Sequence, residues 1–147
     1  MGSYFCAAPK VVTTTYQASQ IDIMFVRRAV FIDEQSVPAE LEIDGLDDRC
    51  LHALALVGEK AVGTARIDLE DGGKVGRVAV LSDYRRRGIG TRLMAALVRA
   101  AREHGLCSIW FHAQEFAIPF YEKLGYSVEG ESFMEAGIPH RTMRKRL

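Results

Sequence analysis

Val78-Ala79-Val80-Leu81-Ser82-Asp83-Tyr84-Arg85-Arg86-Arg87-Gly88-Ile89-Gly90-Thr91 is the stretch on which the fold turns. A β-branched run passes through a basic turn into two glycines and then into a long periodic segment. From Gly88 to His104 the apolar residues Ile89, Leu93, Met94, Leu97, Val98 and Ala101 make one helical face, with Arg92, Arg99, Arg102 and Glu103 mostly off it. Gly105 follows as a C-terminal cap. Bare glycines let the backbone come close to a ligand. The first N–H groups of a helix lack internal partners and sit at the positive end of its dipole. A diphosphate ringed by arginines fits such a turn. Two diphosphate motifs fail on the residues themselves. A Walker loop needs a lysine that Gly90-Thr91 lacks, and the dinucleotide fingerprint needs a third glycine where Leu93 stands. Taken alone, three consecutive arginines fit a solvated turn equally well.

Working outward, Val11 to Tyr16 is β-branched and reads as a strand. Gln20 to Gln35 reads as a helix on Ile23, Val26, Val30 and Phe31, with Asp22 in its first turn and Pro38 ending or bending the pattern. Residues 36–48 read as loop or a short second helix. Leu51 to Val57, Val62 to Leu69 and Lys74 to Leu81 read as a meander, turned at Gly58-Glu59-Lys60 and at Asp71-Gly72-Gly73. Ser108 to Ala113 is a further strand and Ala117 to Leu124 a short helix ending at Gly125. Tyr126 to Phe133 and Arg141 to Arg146 form a last strand pair, with Ala136-Gly137-Ile138-Pro139 between them. The sum is a single α/β (α+β) domain over 1–147. Its central sheet is mixed and mainly antiparallel, with six to seven strands flanked by about four helices.

Composition excludes several classes. The 147 residues are 48% hydrophobic and 26% charged, ordinary for a globular protein. No apolar run approaches the roughly 18–20 residues of a membrane span, and Met1 to Lys10 lacks the pattern of a signal peptide. Gly2 invites a check for myristoylation, but Cys6 stands where that motif wants Ser or Thr. Met1-Gly2-Ser3 equally fits a cloning scar. Cys6, Cys50 and Cys107 form no CxxC pair, which argues against a disulfide framework and a zinc site and for a reducing, cytoplasmic setting. Cys107, before a strand, reads as core. Residues 1–75 carry 12 acids and 7 bases, and residues 76–147 carry 7 acids and 12 bases. The neutral total argues against nucleic-acid binding, while the basic half suits an anionic ligand and the acidic half a cationic one. Both halves equally suit solvated faces.

Arg85-x-x-Gly88-x-Gly90 after a Val-Ala-Val strand resembles the acyl-CoA motif of the GCN5-related N-acetyltransferases. Phe120-Tyr121-Glu122-Lys123-Leu124-Gly125-Tyr126 resembles that family's second signature, and the order of elements from Val11 to Arg146 matches its fold. The resemblance implies an N-acetyltransferase that uses acetyl-CoA and no metal, acting as a monomer or homodimer on a small-molecule amine. It implies that the backbone of Val78, Ala79 and Val80 pairs with the pantetheine arm. The N–H groups of Arg86, Arg87, Gly88, Ile89, Gly90 and Thr91, with Arg85 beside them, would cradle the pyrophosphate. Phe120, Tyr121 and Gln114 would also face the cofactor, although the family often has Asn where Gln114 stands. The strands carrying Val80 and Ser108 to Ala113 would splay to admit the thioester.

Attack of an amine on a thioester needs a base and an acid. Tyr121 sits where the family's general acid sits. Pro139-His140 resembles the base-bearing segment of the glyphosate N-acetyltransferase branch, and an imidazole suits proton removal near neutral pH. Arg27-Arg28-Ala29-Val30-Phe31-x-x-Glu34-Gln35 resembles a segment of several branches and of the acyl-homoserine-lactone synthases, which implies that Phe31 and Glu34 are substrate-side residues. Glu34 reads as a structural or substrate-orienting carboxylate, and it is also the other candidate base, acting through an ordered water. Arg27 aligns with an anion-binding arginine, and it could equally pair with a neighbouring acid. The cluster Asp33, Glu34, Glu40, Glu42, Asp44, Asp47 and Asp48 could instead attract a polyamine or lysine. His52 and His112 read as satisfied half-buried histidines. A longer-chain acyltransferase and a non-catalytic acyl-CoA-binding module are the rival readings.

Overall fold

A computed structural model of the protein describes residues 8–147; the readings at Met1-Gly2-Ser3 and Cys6 lie outside the described residues. Seven strands form one sheet in the order β1-β2-β3-β4-β5-β7-β6. They are β1 Lys10–Thr15, β2 Leu51–Val57, β3 Lys60–Asp68, β4 Lys74–Val80, β5 Ser108–Gln114, β6 Ser127–Glu135 and β7 Ile138–Arg146. Every pairing is antiparallel except β4 with β5. No helix among the described residues is long and apolar enough to cross a membrane.

The first helix, α1, runs Tyr16–Arg27, four residues earlier than its apolar spacing suggests. Thr15 caps it by accepting the Ala18 N–H on its side-chain oxygen at 3.1 Å, so Asp22 lies inside the helix and not in its first turn. The helix then widens into a π-helical segment, Arg28–Glu34. A short α2 covers Ala39–Glu42, α3 is Ile89–Glu103 and α4 is Ile118–Lys123. Between β6 and β7 the turn is only Ala136-Gly137, both with positive φ (51° and 74°). That is the geometry of a two-residue hairpin, and it extends β7 back through Ile138 and Pro139, residues expected between the strands.

Strand alternation gives the sheet two covered faces. Ile89, Leu93 and Leu97 of α3 pack on Ala53, Ala55, Val62, Ile67, Ile109 and Phe111. On the other face Ile23, Val26 and Val30 pack on Leu54, Ala61 and Ala79. Gly63 on β3 allows α3 this close. A Cβ there would lie 3.0 Å from Ile89 Cγ2 and 3.1 Å from Leu93 Cδ1, against the Ala79 carbonyl at 3.3 Å. Gly63→Ala is therefore expected to lower stability by about 1–3 kcal/mol through overpacking. Urea unfolding should show a lower midpoint at unchanged slope.

Candidate active site

The site begins with a defect in β4. Between the pairs Thr64↔Ala79 and Arg66↔Gly76, β4 spends one residue more than β3. This bulge contains Arg77 in the left-handed region at φ 52°, and a bulge bends its strand. β4 and β5 pair only at Lys74↔Trp110 and Val75↔Phe111, then part. The parting is the splay expected of these strands. Leu81 N–H donates to Val62 O at 2.9 Å, so strand alternation turns the backbone groups of Val78 and Val80 away from β3 toward the gap. The gap opens into a cleft of about 1150 Å³.

At one end of the cleft the chain turns through Arg86 (φ 62°) and Gly88 (φ 78°) into α3. Among the described residues, the N–H groups from Arg86 to Thr91 meet no backbone acceptor and no capping side chain. This is a nest of free donors at a helix N-terminus. A Cβ on Gly90 would lie 3.1 Å from the Phe120 ring, so the bare residue lets that ring pack close against the start of α3. The three arginines have separate places. Arg85 donates from Nε to Val80 O at 2.9 Å and grips the Glu34 carboxylate with both Nη groups at 2.6 Å. Its charge and hydrogen bonds hold the Glu34 carboxyl below its usual range. Arg86 lines the cleft, whereas Arg87 stacks over the Tyr84 ring at 5.1 Å and does not line it.

Glu34 and Gln35, at the end of the π-helical segment, bridge both diverging strands. Glu34 holds Arg85 beyond β4. Gln35 exchanges two amide hydrogen bonds, 2.9 and 3.3 Å, with Gln114 at the end of β5. Phe31 joins them in the lining. Gln114, expected to face the cofactor, thus sits in the cleft with its amide engaged.

Tyr121 and His140 reach the cleft from opposite faces of the sheet. Tyr121 belongs to the α3 side, with its ring 4.5 Å from Phe111. Burial, with a smaller contribution from Tyr126, raises its phenol pKa, so it is protonated at neutral pH. His140 pairs across the sheet with Gln114 on the α1 side and donates Nδ1–H to Ile138 O at 2.7 Å. His112, two residues before Gln114 on β5, also lines the cleft and is bonded to Glu135 at 3.0 Å. His112 is thus the satisfied, half-buried histidine expected, but its place in the cleft was not foreseen; the signal was strand alternation, because Trp110, His112 and Gln114 share a face. Glu135 was not singled out by the sequence.

Arg27, expected on the substrate side, does not line the cleft. It is 1% exposed and hydrogen-bonds to the Glu42 carboxylate, to Asp47 Oδ1 at 2.7 Å and to Glu42 O at 3.2 Å. Arg66 binds Asp47 at 2.8 Å and Asp44, and Arg77 reaches Asp44 at 3.3 Å. Glu42, Asp44 and Asp47 are therefore spent on arginines and do not form a free acidic patch for a polyamine. His52 is buried, with Nε2 on Asp47 O at 3.0 Å, and burial lowers its pKa. Cys107 is exposed, in the turn before β5, and not core.

Residues 12–147 match the family model of the Acetyltransferase (GNAT) domain. The chain is 45% identical over 126 residues to the "Uncharacterized N-acetyltransferase YjcF" of Bacillus subtilis, covering 84% of this chain and 90% of that protein. Among solved structures it superposes on an acyl-CoA N-acyltransferase from Pseudomonas aeruginosa with a TM-score of 0.82 at 26% identity, covering 94% and 99% of the two chains. Escherichia coli ElaA gives a TM-score of 0.82 at 26% identity, over 93% and 99%.

Proposed function

The chain belongs to the GNAT acetyltransferase family, and from that premise we propose that it moves acetyl from acetyl-CoA directly to the primary amine of a small molecule. One observation carries the reading. The pairing of β4 with β5 stops at Val75 and Phe111, and the freed edge of β4 runs straight into the open N–H nest at the start of α3. Such an edge takes an extended, amide-bearing arm as an added strand, and such a nest takes a diphosphate.

Coenzyme A supplies the acyl thioester; the chain supplies the rest. Val78 and Val80 pair with the pantetheine arm, and the N–H groups from Arg86 to Thr91 hold the pyrophosphate. The N–H of Val80 stabilises charge developing on the acyl oxygen. Nε2 of His140 takes the proton of the attacking amine, and Tyr121 gives one to the leaving thiolate. Transfer is direct because Cys50, the cysteine in the cleft wall, has a thiol pushed up to about 11 by burial and is no nucleophile at neutral pH. The cleft of about 1150 Å³ must hold the pantetheine arm as well. That leaves room for a compact acceptor against Phe31, Val37 and Leu41.

Thermal unfolding with acetyl-CoA, and with ATP as the matched nucleotide, tests the cofactor half. At about 100 times its Kd, acetyl-CoA should add roughly 2.7 kcal/mol of stability, and ATP should add none. No shift with either would remove the cofactor assignment. Thiol release with ethanolamine, lysine, spermidine, glucosamine and aminomethylphosphonate tests the acceptor half. Binding of acetyl-CoA without turnover on any of them would favour a non-catalytic module, and faster turnover with longer acyl donors a different acyltransferase.

A further inference from the structure

At the acceptor end of the cleft lies a cluster of which the catalytic reading uses only His140. His112 on β5, Glu135 at the end of β6 and His140 on β7 all line it. The two-residue turn Ala136-Gly137 sets Glu135 opposite Ile138, two residues from His140. His112 donates Nδ1–H to Glu135 Oε1 at 3.0 Å, since a carboxylate only accepts. His140 spends its Nδ1–H on Ile138 O, so the lone pair of the neutral ring is on Nε2. That nitrogen stands 3.6 Å from Glu135 Oε2. Phe133 packs on both imidazoles, at 4.8 Å from His112 and 6.0 Å from His140. The side chain of His140 is 7% exposed, that of Glu135 48% and that of His112 26%. A buried imidazole that accepts a proton must lose it before the next turnover. From Nε2 the exposed carboxylate of Glu135 is the exit.

We propose that Glu135 relays the proton from His140 to solvent and that His112 is the positioning residue that holds its carboxylate in place. The proposal rests on the reading of His140 as base. As the amine nitrogen bonds to the acyl carbon, its N–H bond breaks and the proton goes to the lone pair on His140 Nε2. Nε2–H then gives the proton to Glu135 Oε2, and the resulting carboxylic acid releases it to water. Imidazole and carboxylate are both regenerated. Tyr121, left as phenolate once it has protonated the thiolate, takes a proton back from solvent, so the proton leaving through Glu135 is matched by one entering at Tyr121. The 3.6 Å gap exceeds a hydrogen bond by less than about 1 Å, which rotation of a half-exposed side chain closes.

The test is acetyl transfer to whichever amine named above turns over fastest. Glu135→Ala should lower turnover about tenfold or more, a fraction of the usual effect of a proton-transfer group, and added formate should restore much of it. His112→Phe should fall several-fold, and His112→Asn, which keeps a donor near the Nδ1 position, should retain part of the rate. Wild-type turnover in Glu135→Ala, or a loss that formate does not restore, overturns the relay. His140→Gln separates the two readings. If it turns over normally, the base assignment fails and the relay with it. If it is slow while Glu135→Ala is not, the relay alone fails.

Discussion

Arg27→Ala is expected to destabilise the protein by about 3–5 kcal/mol, the usual cost of removing one partner from a buried ion pair. Arg27 lies beneath the acceptor side of the cleft, where it binds Glu42 and Asp47 with almost no solvent exposure. Without it the Glu42 carboxylate, whose Oε2 already lacks a partner, would keep only Arg77 Nε at 3.8 Å. Burial pushes the Asp47 carboxyl up, and the hydrogen bonds and charge of Arg27 and Arg66 more than reverse it. A lowered carboxyl contributes stability that is complete above its unfolded value, about pH 4, and is lost as pH falls through its folded value. The loss in Arg27→Ala should therefore be largest at neutral pH and shrink in acid. Paired replacement by Arg27→Met with Glu42→Leu should recover much of the stability, because the uncompensated charge goes as well. Urea unfolding of the two variants decides it. A single variant that costs under about 1 kcal/mol would show that water reaches the network.

The same residue marks where sequence reading ends. The strand, glycine turn and α3 were legible because apolar spacing, a β-branched run and two glycines agree on one local structure. The β4 bulge that opens the cleft was not, because its left-handed residue is Arg77 and not a glycine. The start of α1 was hidden for a similar reason. Its first turn, Tyr16 to Ser19, is mostly polar, and three threonines before it look like strand. The π-helical widening at Arg28–Glu34 leaves an apolar pattern too close to helical spacing to distinguish. Motifs pointed to Tyr121, His140 and the glycine turn, all of which line the cleft. They could not say which acids Arg27 and Arg66 meet, since those partners come from α2 and the stretch after it, 15 to 22 residues away along the chain. Glu135 became visible only through the hairpin turn that brings it beside His140.

Tyr121→Phe is expected to lower turnover by about 10²-fold or more, the scale of a proton donor aimed at a leaving group. The variant is informative because it separates chemistry from packing. The Tyr121 ring lies among Phe111, Phe120 and Tyr126, with centroids at 4.5, 5.0 and 6.0 Å, and phenylalanine keeps every one of those contacts. Only the hydroxyl is removed, from a side chain that lines the cleft and is 7% exposed. Burial keeps that hydroxyl protonated across the pH range in which a thiolate leaves, so it serves as donor and not as base. Stabilisation by acetyl-CoA should be nearly unchanged, because the proposed pyrophosphate and pantetheine contacts lie on the α3 turn and β4. A fall in turnover with binding intact would place the lost interaction in the transition state alone. Normal turnover would mean that water protonates the thiolate and that Tyr121 is there to pack. A parallel loss of turnover and acetyl-CoA stabilisation would mean that the hydroxyl binds the cofactor in the ground state.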